Sequence, residues 1–344
     1  MRADLATALA KVEPAAAEIF AGDASVRSVG VGRVLGGYGF IAVRNVRAIL
    51  PLTAHLKSAP PTTFEGIPVA YAESLADPEH LARFSSMELA QAESVPTYPE
   101  RNAHPQLACG LQIQNYDDDL RSGQIDRGYV TIGTLGCFVR LANGDIAILT
   151  NNHVAAGQYR GLVGQDRICQ PGTAERTGVR HIATLSGFVT LQKSPDGATV
   201  RQGTAVLNEL DAAVASLAPA VAFSQAYVSG RAAQAPIGIA QAAEGDKVYK
   251  VGRTTGLTSG TVTQVGAVMG PVPYDVGPSW FRRCIVIESD DGKSFSDRGD
   301  SGSAIVRADG MVTGLLYAGN GTQTYACPIG PVLDAFDARL LTQA

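Results

Sequence analysis

The sequence has little charge and no concentrated run of either sign. Charged residues make up 17% of its 344 residues, and the formal net charge is −4. No stretch is a block of lysine and arginine. Because neutralising a phosphate backbone needs such a basic cluster, we expect no nucleic-acid partner.

Long apolar runs are also missing. No stretch reaches the ~18 consecutive apolar residues of a membrane helix. The first residues carry Asp4, Lys11, Glu13 and Glu18 where a signal peptide would need an unbroken apolar core. We therefore expect neither a signal peptide nor a membrane partner.

Cysteines are few, odd in number and never spaced C-x-x-C: Cys109, Cys137, Cys169, Cys284 and Cys327. This pattern argues against a disulfide framework and against a zinc knuckle, and it favours a cytoplasmic protein with reduced thiols. Apart from His153, the histidines show no pairing at helical spacing and no nearby carboxylate cluster. We expect no metal and no cofactor.

Glycine and apolar residues are what the sequence has in abundance. Its 38 glycines and 45% hydrophobic content are typical of a compact protein with many short strands and tight turns. From Tyr129 onward, strand-like segments and hairpin signals such as Asn143-Gly144 fall into two groups of about six strands. We predict an all-β double barrel with a small N-terminal α+β domain and a C-terminal helix over Val332–Leu341.

The pattern divides the chain into four regions. Residues 1–75 form the N-terminal α+β domain, with a helix over 3–20, strands over Val26–Leu35, Phe40–Ile49 and Gly66–Tyr71, and a short helix over Leu52–Lys57. Residues 76–128, which contain four prolines, are predicted to be a linker with some helix. Residues 129–218 form the first barrel, and residues 219–344 form the second barrel with the closing helix.

Three short segments far apart in sequence carry the groups of nucleophilic catalysis. They are Leu149–Val154 with His153, Leu210–Ala215 with Asp211, and Gly299–Ser303 with Ser301. In acyl transfer a serine attacks, a histidine takes its proton, and an aspartate holds the imidazole in the useful tautomer. We predict these roles for Ser301, His153 and Asp211. Glu209, on the same strand face by alternation, and Asp196 remain alternatives to Asp211.

The order His, Asp, Ser is that of the chymotrypsin barrels, whereas subtilisins and α/β-hydrolases use other orders. From about residue 129 to 336 the chain resembles the trypsin-like superfamily. Over most of its length it resembles the plant narrow-leaf-type trypsin-like proteins and their bacterial relatives. The narrower resemblance rests on residues 30–32 through 64–69, on 133–137 leading to 149–154, and on 248–260.

The resemblance implies a serine endopeptidase that hydrolyses polypeptides through an acyl-enzyme. It implies that the backbone N–H groups of Gly299 and Ser301 form the oxyanion hole. In the superfamily, the residue at Asp300 often pairs with a newly cleaved N-terminus, but no matching activation site precedes Tyr129. We therefore expect no zymogen control of that kind.

The substrate pocket is expected to differ from that of trypsin itself. Phe295 stands where a trypsin-like pocket would have an aspartate, and Gly319 is expected near the pocket wall. An apolar or small residue before the scissile bond is therefore favoured over a basic one.

Other functions remain open at this level. The alternative is a catalytically idle peptide-binding or scaffolding protein that keeps the same fold. An esterase is disfavoured by the chain order and because Ser303 replaces the last glycine of G-x-S-x-G. The N-terminal region can serve assembly, including a homo-oligomer, or inhibition, or substrate recruitment.

Overall fold

The computed structural model describes residues 3–49, 61–80, 82–85, 98–173, 178–195, 198–228 and 233–342. Within these residues the chain forms two large sheets, of nine and thirteen strands, and one two-stranded sheet. None of the helices in this part of the chain is long and apolar enough to cross a bilayer.

The N-terminal unit is a helix packed on strands. Helix α1 begins after Asp4, whose carboxylate accepts a 2.8 Å hydrogen bond from the Thr7 N–H, and it continues through Pro14 without a break. Its apolar face, which includes Val12 and Ile19, is buried. The predicted helix over Leu52–Lys57 lies outside the described residues. The elements are α1 (Leu5–Gly22), β1 (Val26–Val34), β2 (Gly37–Asn45), α2 (Val46–Ile49), β3 (Thr63–Phe64) and β4 (Ile67–Ser74).

The segment expected to be a linker supplies strands to both sheets. It contains β5 (Glu79–His80), β6 (Arg83–Ser85), β7 (Leu107–Cys109), β8 (Gln112–Asn115) and the helix α3 (Tyr116–Arg121), with short 3₁₀ turns at Pro99–Arg101 and Ile125–Arg127. Leu107, Leu111 and Ile113 are fully buried. These apolar side chains make β7 and β8 part of the hydrophobic core. The nearby prolines favoured a linker prediction for the same residues.

The first barrel holds the nine-stranded sheet. The elements of this part of the chain, with the last strand, are β9 (Tyr129–Thr134), β10 (Cys137–Arg140), β11 (Ile146–Thr150), α4 (Asn152–Ala155), β12 (Arg167–Gln170), β13 (Arg180–Phe188), β14 (Leu207–Asn208), β15 (Ala213–Leu217), β16 (Phe223–Tyr227) and β24 (Arg339–Leu340). The strand order of the sheet is β24-β10-β11-β15-β13-β12-β8-β9-β6, and every pair is antiparallel. A 3₁₀ turn at Val200–Gln202 follows β13, and β16 pairs with β7 in the separate small sheet.

The second barrel and the N-terminal strands share the thirteen-stranded sheet. The elements of the second barrel are β17 (Gly238–Ile239), β18 (Lys247–Gly252), β19 (Gly256–Tyr274), β20 (Gly277–Ser289), β21 (Ala304–Arg307), β22 (Met311–Gly319), β23 (Gln323–Pro328) and α5 (Ile329–Asp334). The main path of the sheet is β14-β20-β23-β22-β21-β18-β19-β1-β2-β4-β3, and β5 and β17 each pair with β22. Because β1 pairs with β19 from Ser28 to Val31, the N-terminal unit extends the barrel sheet.

The C-terminal helix is present but shorter than predicted. Helix α5 occupies Ile329–Asp334, and the chain then turns through Asp337, whose φ is 46°, into β24. There Leu340 pairs with Val139, so the end of the chain is tied back to the first barrel.

One apolar cluster joins the two barrels. It contains Leu149 and Val214 from the first sheet and Phe281 and Tyr317 from the second. Loops that leave the two sheets near this cluster are therefore held in fixed positions relative to each other.

Candidate active site

His153 lies directly after a central strand of the first barrel. Strand β11 ends at Thr150, and the four-residue helix α4 then carries His153, which is 2% exposed. The two asparagines between them fix this turn: Asn151 Nδ2 donates to the Asp211 carbonyl at 2.6 Å, and Asn152 Nδ2 donates to the Gln158 carbonyl at 2.7 Å. These two side-chain amides hold the turn in place.

Asp211 contacts His153 through both carboxylate oxygens. His153 Nδ1 lies 2.5 Å from Asp211 Oδ2, and the His153 backbone N–H donates to Oδ1 at 3.2 Å. The Tyr274 hydroxyl also donates to Oδ2 at 2.6 Å. Asp211 is fully buried just before β15, which pairs with β11, so neighbouring strands hold the carboxylate beside the imidazole.

The surroundings of Asp211 keep its carboxylate ionised. Burial alone would raise the pKa of Asp211, but the charge of His153 and the hydrogen bonds from His153 and Tyr274 outweigh it and lower that pKa below its usual range. An ionised acceptor at Nδ1 fixes the tautomer in which Nδ1 carries the proton and Nε2 can accept one.

Of the two alternative partners of His153, the structure describes Glu209, which lies elsewhere. Glu209 pairs with Arg282 at 2.5 Å and with Arg283 at 3.3 Å, and 30% of its side chain is exposed. Asp196 lies outside the described residues. The structure therefore places Asp211, and not Glu209, on the imidazole.

Ser301 is fully buried in a loop that touches the histidine-bearing barrel. The Thr134 N–H donates to the Ser301 carbonyl at 2.8 Å, and Ser301 Oγ donates to the Tyr317 carbonyl at 3.3 Å. Among the described residues, His153 Nε2 has no hydrogen-bond partner. Ser301 Oγ and His153 Nε2 therefore share no hydrogen bond in this structure.

The loop at Gly299–Ser301 leaves two N–H groups open. Gly299 has a φ of 98°, and its carbonyl accepts a 2.7 Å hydrogen bond from Thr134 Oγ1. The Arg298 carbonyl is held by the Thr254 hydroxyl. With these carbonyls turned away, the N–H groups of Gly299 and Ser301 donate to no group in the described part of the chain. Two such amides near a serine can stabilise an oxyanion.

Asp300 is held by a lysine inside the second barrel. Lys250 Nζ lies 3.4 Å from Asp300 Oδ2, and neither side chain is exposed. Asp300 also accepts from the Thr254 N–H at 2.8 Å and the Thr255 hydroxyl at 2.6 Å. The positive charge next to this carboxylate therefore comes from the Lys250 side chain of β18. Asp300 is held in place without an ion pair to a free N-terminus.

The region that carries these residues indicates the family. Residues 128–331, more than half of the chain, match the sequence model of the trypsin family. The chain belongs to the trypsin family. The predicted chymotrypsin-like double barrel and the superfamily resemblance are thereby confirmed.

Several solved bacterial proteases are similar to this trypsin-family chain. Nocardiopsis protease is 18% identical with a TM-score of 0.47, and the match covers 69% of this chain and all (100%) of that one. Thermobifida fusca protease A is 18% identical with a TM-score of 0.43, over 62% and 92% of the two chains. The Cellulomonas bogoriensis chymotrypsin is 21% identical with a TM-score of 0.41, over 61% and 91%. No curated protein matches the chain by sequence.

The two predicted pocket residues, Phe295 and Gly319, lie in different surroundings. Phe295 is 1% exposed in an apolar cluster of the second barrel, and its carbonyl accepts from the Thr258 hydroxyl at 2.7 Å. Gly319 ends β22 and pairs with Glu79 of β5. The preference of this trypsin-family chain for the residue before the scissile bond stays a prediction.

Sequence reasoning missed Tyr274, Lys250 and His80. Tyr274 is 63 residues from Asp211, and a single tyrosine at the end of a long strand has no local signature. Lys250 lies within the stretch 248–260, and a lysine flanked by Tyr249 and Val251 in β18 was the available signal. His80 lies 5.2 Å from His153 between ring centroids. In the described part of the chain, no group of three or more His, Cys, Asp or Glu side chains is arranged to hold a metal ion.

Proposed function

We propose that this protein is a serine endopeptidase that uses Ser301, His153 and Asp211. The observation that carries the proposal is the buried Asp211–His153 pair, whose Nε2 has no hydrogen-bond partner among the described residues. A buried serine and two N–H groups without partners lie on a loop that contacts the same barrel. The three sequence stretches that resemble the plant narrow-leaf-type proteins support placing it with those proteins and their bacterial relatives.

The chemistry proceeds in two halves. Ser301 Oγ turns from the Tyr317 carbonyl to His153 Nε2, gives up its proton there, and attacks the peptide carbonyl carbon. The carbonyl oxygen becomes an oxyanion that accepts hydrogen bonds from the N–H groups of Gly299 and Ser301. His153 then donates its proton to the leaving amine, which leaves an acyl group on Ser301.

Water resolves the acyl-enzyme by the same groups in reverse. A water molecule gives a proton to His153 Nε2 while the water oxygen attacks the ester carbon of the acyl-enzyme. His153 then returns that proton to Ser301 Oγ as the carboxylic acid product leaves. Throughout, Asp211 accepts the Nδ1 proton and stabilises the imidazolium that forms. No step needs a metal or cofactor.

Labelling with a fluorophosphonate tests the proposal. The probe is expected to label the wild-type chain at Ser301 in mildly alkaline buffer and to leave Ser301→Ala unlabelled. Ser294→Ala, at an exposed serine outside the site, is the matched control and should label like wild type. A folded wild-type protein that takes no label would contradict the proposal and favour the idle peptide-binding alternative.

Cleavage-site profiling on a denatured proteome would follow a positive result. We expect apolar or small residues before the cleaved bond, because Phe295 stands where trypsin has an acidic residue. Cleavage confined to arginine and lysine would contradict this specificity.

A further inference from the structure

A short stretch of the chain lies across the cleft between the barrels. We call residues 77–80 and 82–85 the cleft segment. Strand β5 pairs antiparallel with β22 of the second barrel, with His80 opposite Ala318 and Glu79 opposite Gly319. Strand β6 then pairs antiparallel with β9 of the first barrel. Consecutive strands thus join different barrels, and the crossing lies at the active site.

The cleft segment covers the imidazole side of the site. The His80 ring stacks on the Tyr274 ring at 5.0 Å with an interplanar angle of 13°, and it lies 5.2 Å from the His153 ring. Tyr274 is the residue whose hydroxyl holds Asp211. His80 therefore occupies the space beside the proposed base that a substrate side chain would have to enter.

The same segment also contacts the serine loop and strand β9 of the barrel that carries His153. Glu79 pairs with Arg298 at 3.0 Å, and Arg298 immediately precedes Gly299. On the other side of the crossing, the Ile132 N–H donates to the Ala82 carbonyl at 2.9 Å. The segment thus follows the cleft from one barrel to the other, as an extended bound peptide would.

The N-terminal unit holds the start of the cleft segment. Asp77 is paired with Arg27 of β1 and accepts a 2.7 Å hydrogen bond from Asn45 Nδ2 of β2. Burial raises the pKa of Asp77, but these two partners outweigh it and lower that pKa. Pro78 is buried next to this anchor. The N-terminal unit therefore fixes the position of the cleft segment at the point where the segment enters the cleft.

We propose that the cleft segment is an internal pseudosubstrate that competes with peptide substrates for the edge of β22 at Ala318 and Gly319. A sheet edge binds an extended peptide by adding one strand, and only one strand can occupy it at a time. On its other side this end of β22 is already paired with β23, so a peptide can pair there only after β5 leaves. The proposal rests on the proposed function, because it names a competitor for that same site.

The contacts of the segment also define the peptides that fit best. An acidic side chain opposite Gly319 would meet Arg298, and a flat ring opposite Ala318 would stack on Tyr274. We expect an acidic residue followed by a ring-bearing residue to be favoured at these two positions, in the order that Glu79 and His80 show.

Internal competition predicts a specific kinetic pattern. If the segment fills the cleft in nine of ten molecules, the apparent KM rises about tenfold while kcat is unchanged. Removing its two contacting side chains, in Glu79→Ala with His80→Ala, should therefore lower the apparent KM by up to about tenfold. His181→Ala, at a histidine on β13 outside the cleft, is the matched control.

Peptide binding tests the proposal without relying on catalysis. A fluorescein-labelled peptide with the sequence of residues 76–85 is titrated into Ser301→Ala protein with and without the Glu79→Ala and His80→Ala changes. We expect about tenfold tighter binding to the protein that lacks the two side chains, read by fluorescence anisotropy. Glu79→Lys, which keeps His80, serves as a second opened variant if the double change does not fold.

The outcomes separate the two proposals. Equal affinity for both proteins, or no binding to either, overturns the pseudosubstrate proposal even if Ser301 is labelled. Tighter binding to the opened protein supports the competitor, and a Ser301 that stays unlabelled even in a folded protein with Glu79→Ala and His80→Ala rejects the peptidase.

Discussion

Tyr274→Phe removes one hydroxyl and nothing else from the candidate site. That hydroxyl donates a 2.6 Å hydrogen bond to Asp211 Oδ2, and both residues are buried. A hydrogen bond to a charged group contributes about 1.5–3 kcal/mol, so the free energy of unfolding should fall by about that amount at neutral pH. Asp211 keeps its bonds from the His153 ring and backbone. We therefore expect kcat to fall only about tenfold, which corresponds to an increase of about 1.4 kcal/mol in the activation free energy.

The pH dependence of this loss has a definite sign. Burial raises the pKa of Asp211, and the Tyr274 hydroxyl is among the groups that lower it, so the variant raises that pKa. A carboxyl with a lowered pKa stabilises the fold above its unfolded pKa and loses that contribution as pH falls through the folded value. The difference between wild type and variant should thus be largest near neutrality and shrink in acid below about pH 4.

Urea unfolding at several pH values and a pH–rate profile measure both effects. Tyr227→Phe is the control, because the buried Tyr227 hydroxyl has no hydrogen-bond partner among the described residues and its loss should cost little. Equal stability of wild type and Tyr274→Phe at neutral pH, with an unchanged rate profile, would refute this account of Tyr274.

Three further changes test the electrostatics and the backbone of the site. Lys250→Met leaves the buried Asp300 without its cation, so the free energy of unfolding should fall by about 3–5 kcal/mol. Lys247→Met, which removes an exposed ion pair, is the control and should change that free energy by less than about 1 kcal/mol. Equal urea midpoints for the two variants would contradict this prediction. Gly299→Ala strains the backbone at a φ of 98°, which should displace the N–H group of residue 299. If that N–H group stabilises the oxyanion, kcat should fall by about 10²–10³. An unchanged kcat in a folded variant would exclude that role. Asp211→Asn should be less stable than wild type at neutral pH, and the gap should close as pH falls below about 4; a gap that widens in acid would oppose the lowered pKa of this carboxyl.

The groups at the site could be read from sequence because each lies in a short, recognisable segment. A strand end before His153, a strand start after Asp211 and a glycine turn around Ser301 are local patterns. Tyr274 could not be read in this way, because its contact with Asp211 depends on the path of β19. The cation at Asp300 was missed for a related reason: only the fold shows that Lys250 points inward to a carboxylate.

The fold class was predictable, but long-range strand pairing was not. The alternation in residues 26–34 predicts a strand without saying that it will pair with β19 of the second barrel. Prolines between residues 96 and 105 suggested a linker, although Leu107 and Ile113 nearby are buried in barrel strands. Val332 and Leu333 indicated the last helix, and its early end follows from the turn at Asp337.

The ladder between β1 and β19 makes the first quarter of the chain hard to remove. A shortened protein that starts after residue 75 would bare the backbone of β19 near Val265 and Val268, both buried beneath the N-terminal unit. An uncovered, apolar strand edge invites pairing between molecules. We expect such a truncation to elute from a size-exclusion column as large aggregates, so the trypsin-family region does not form a stable monomer without the N-terminal unit.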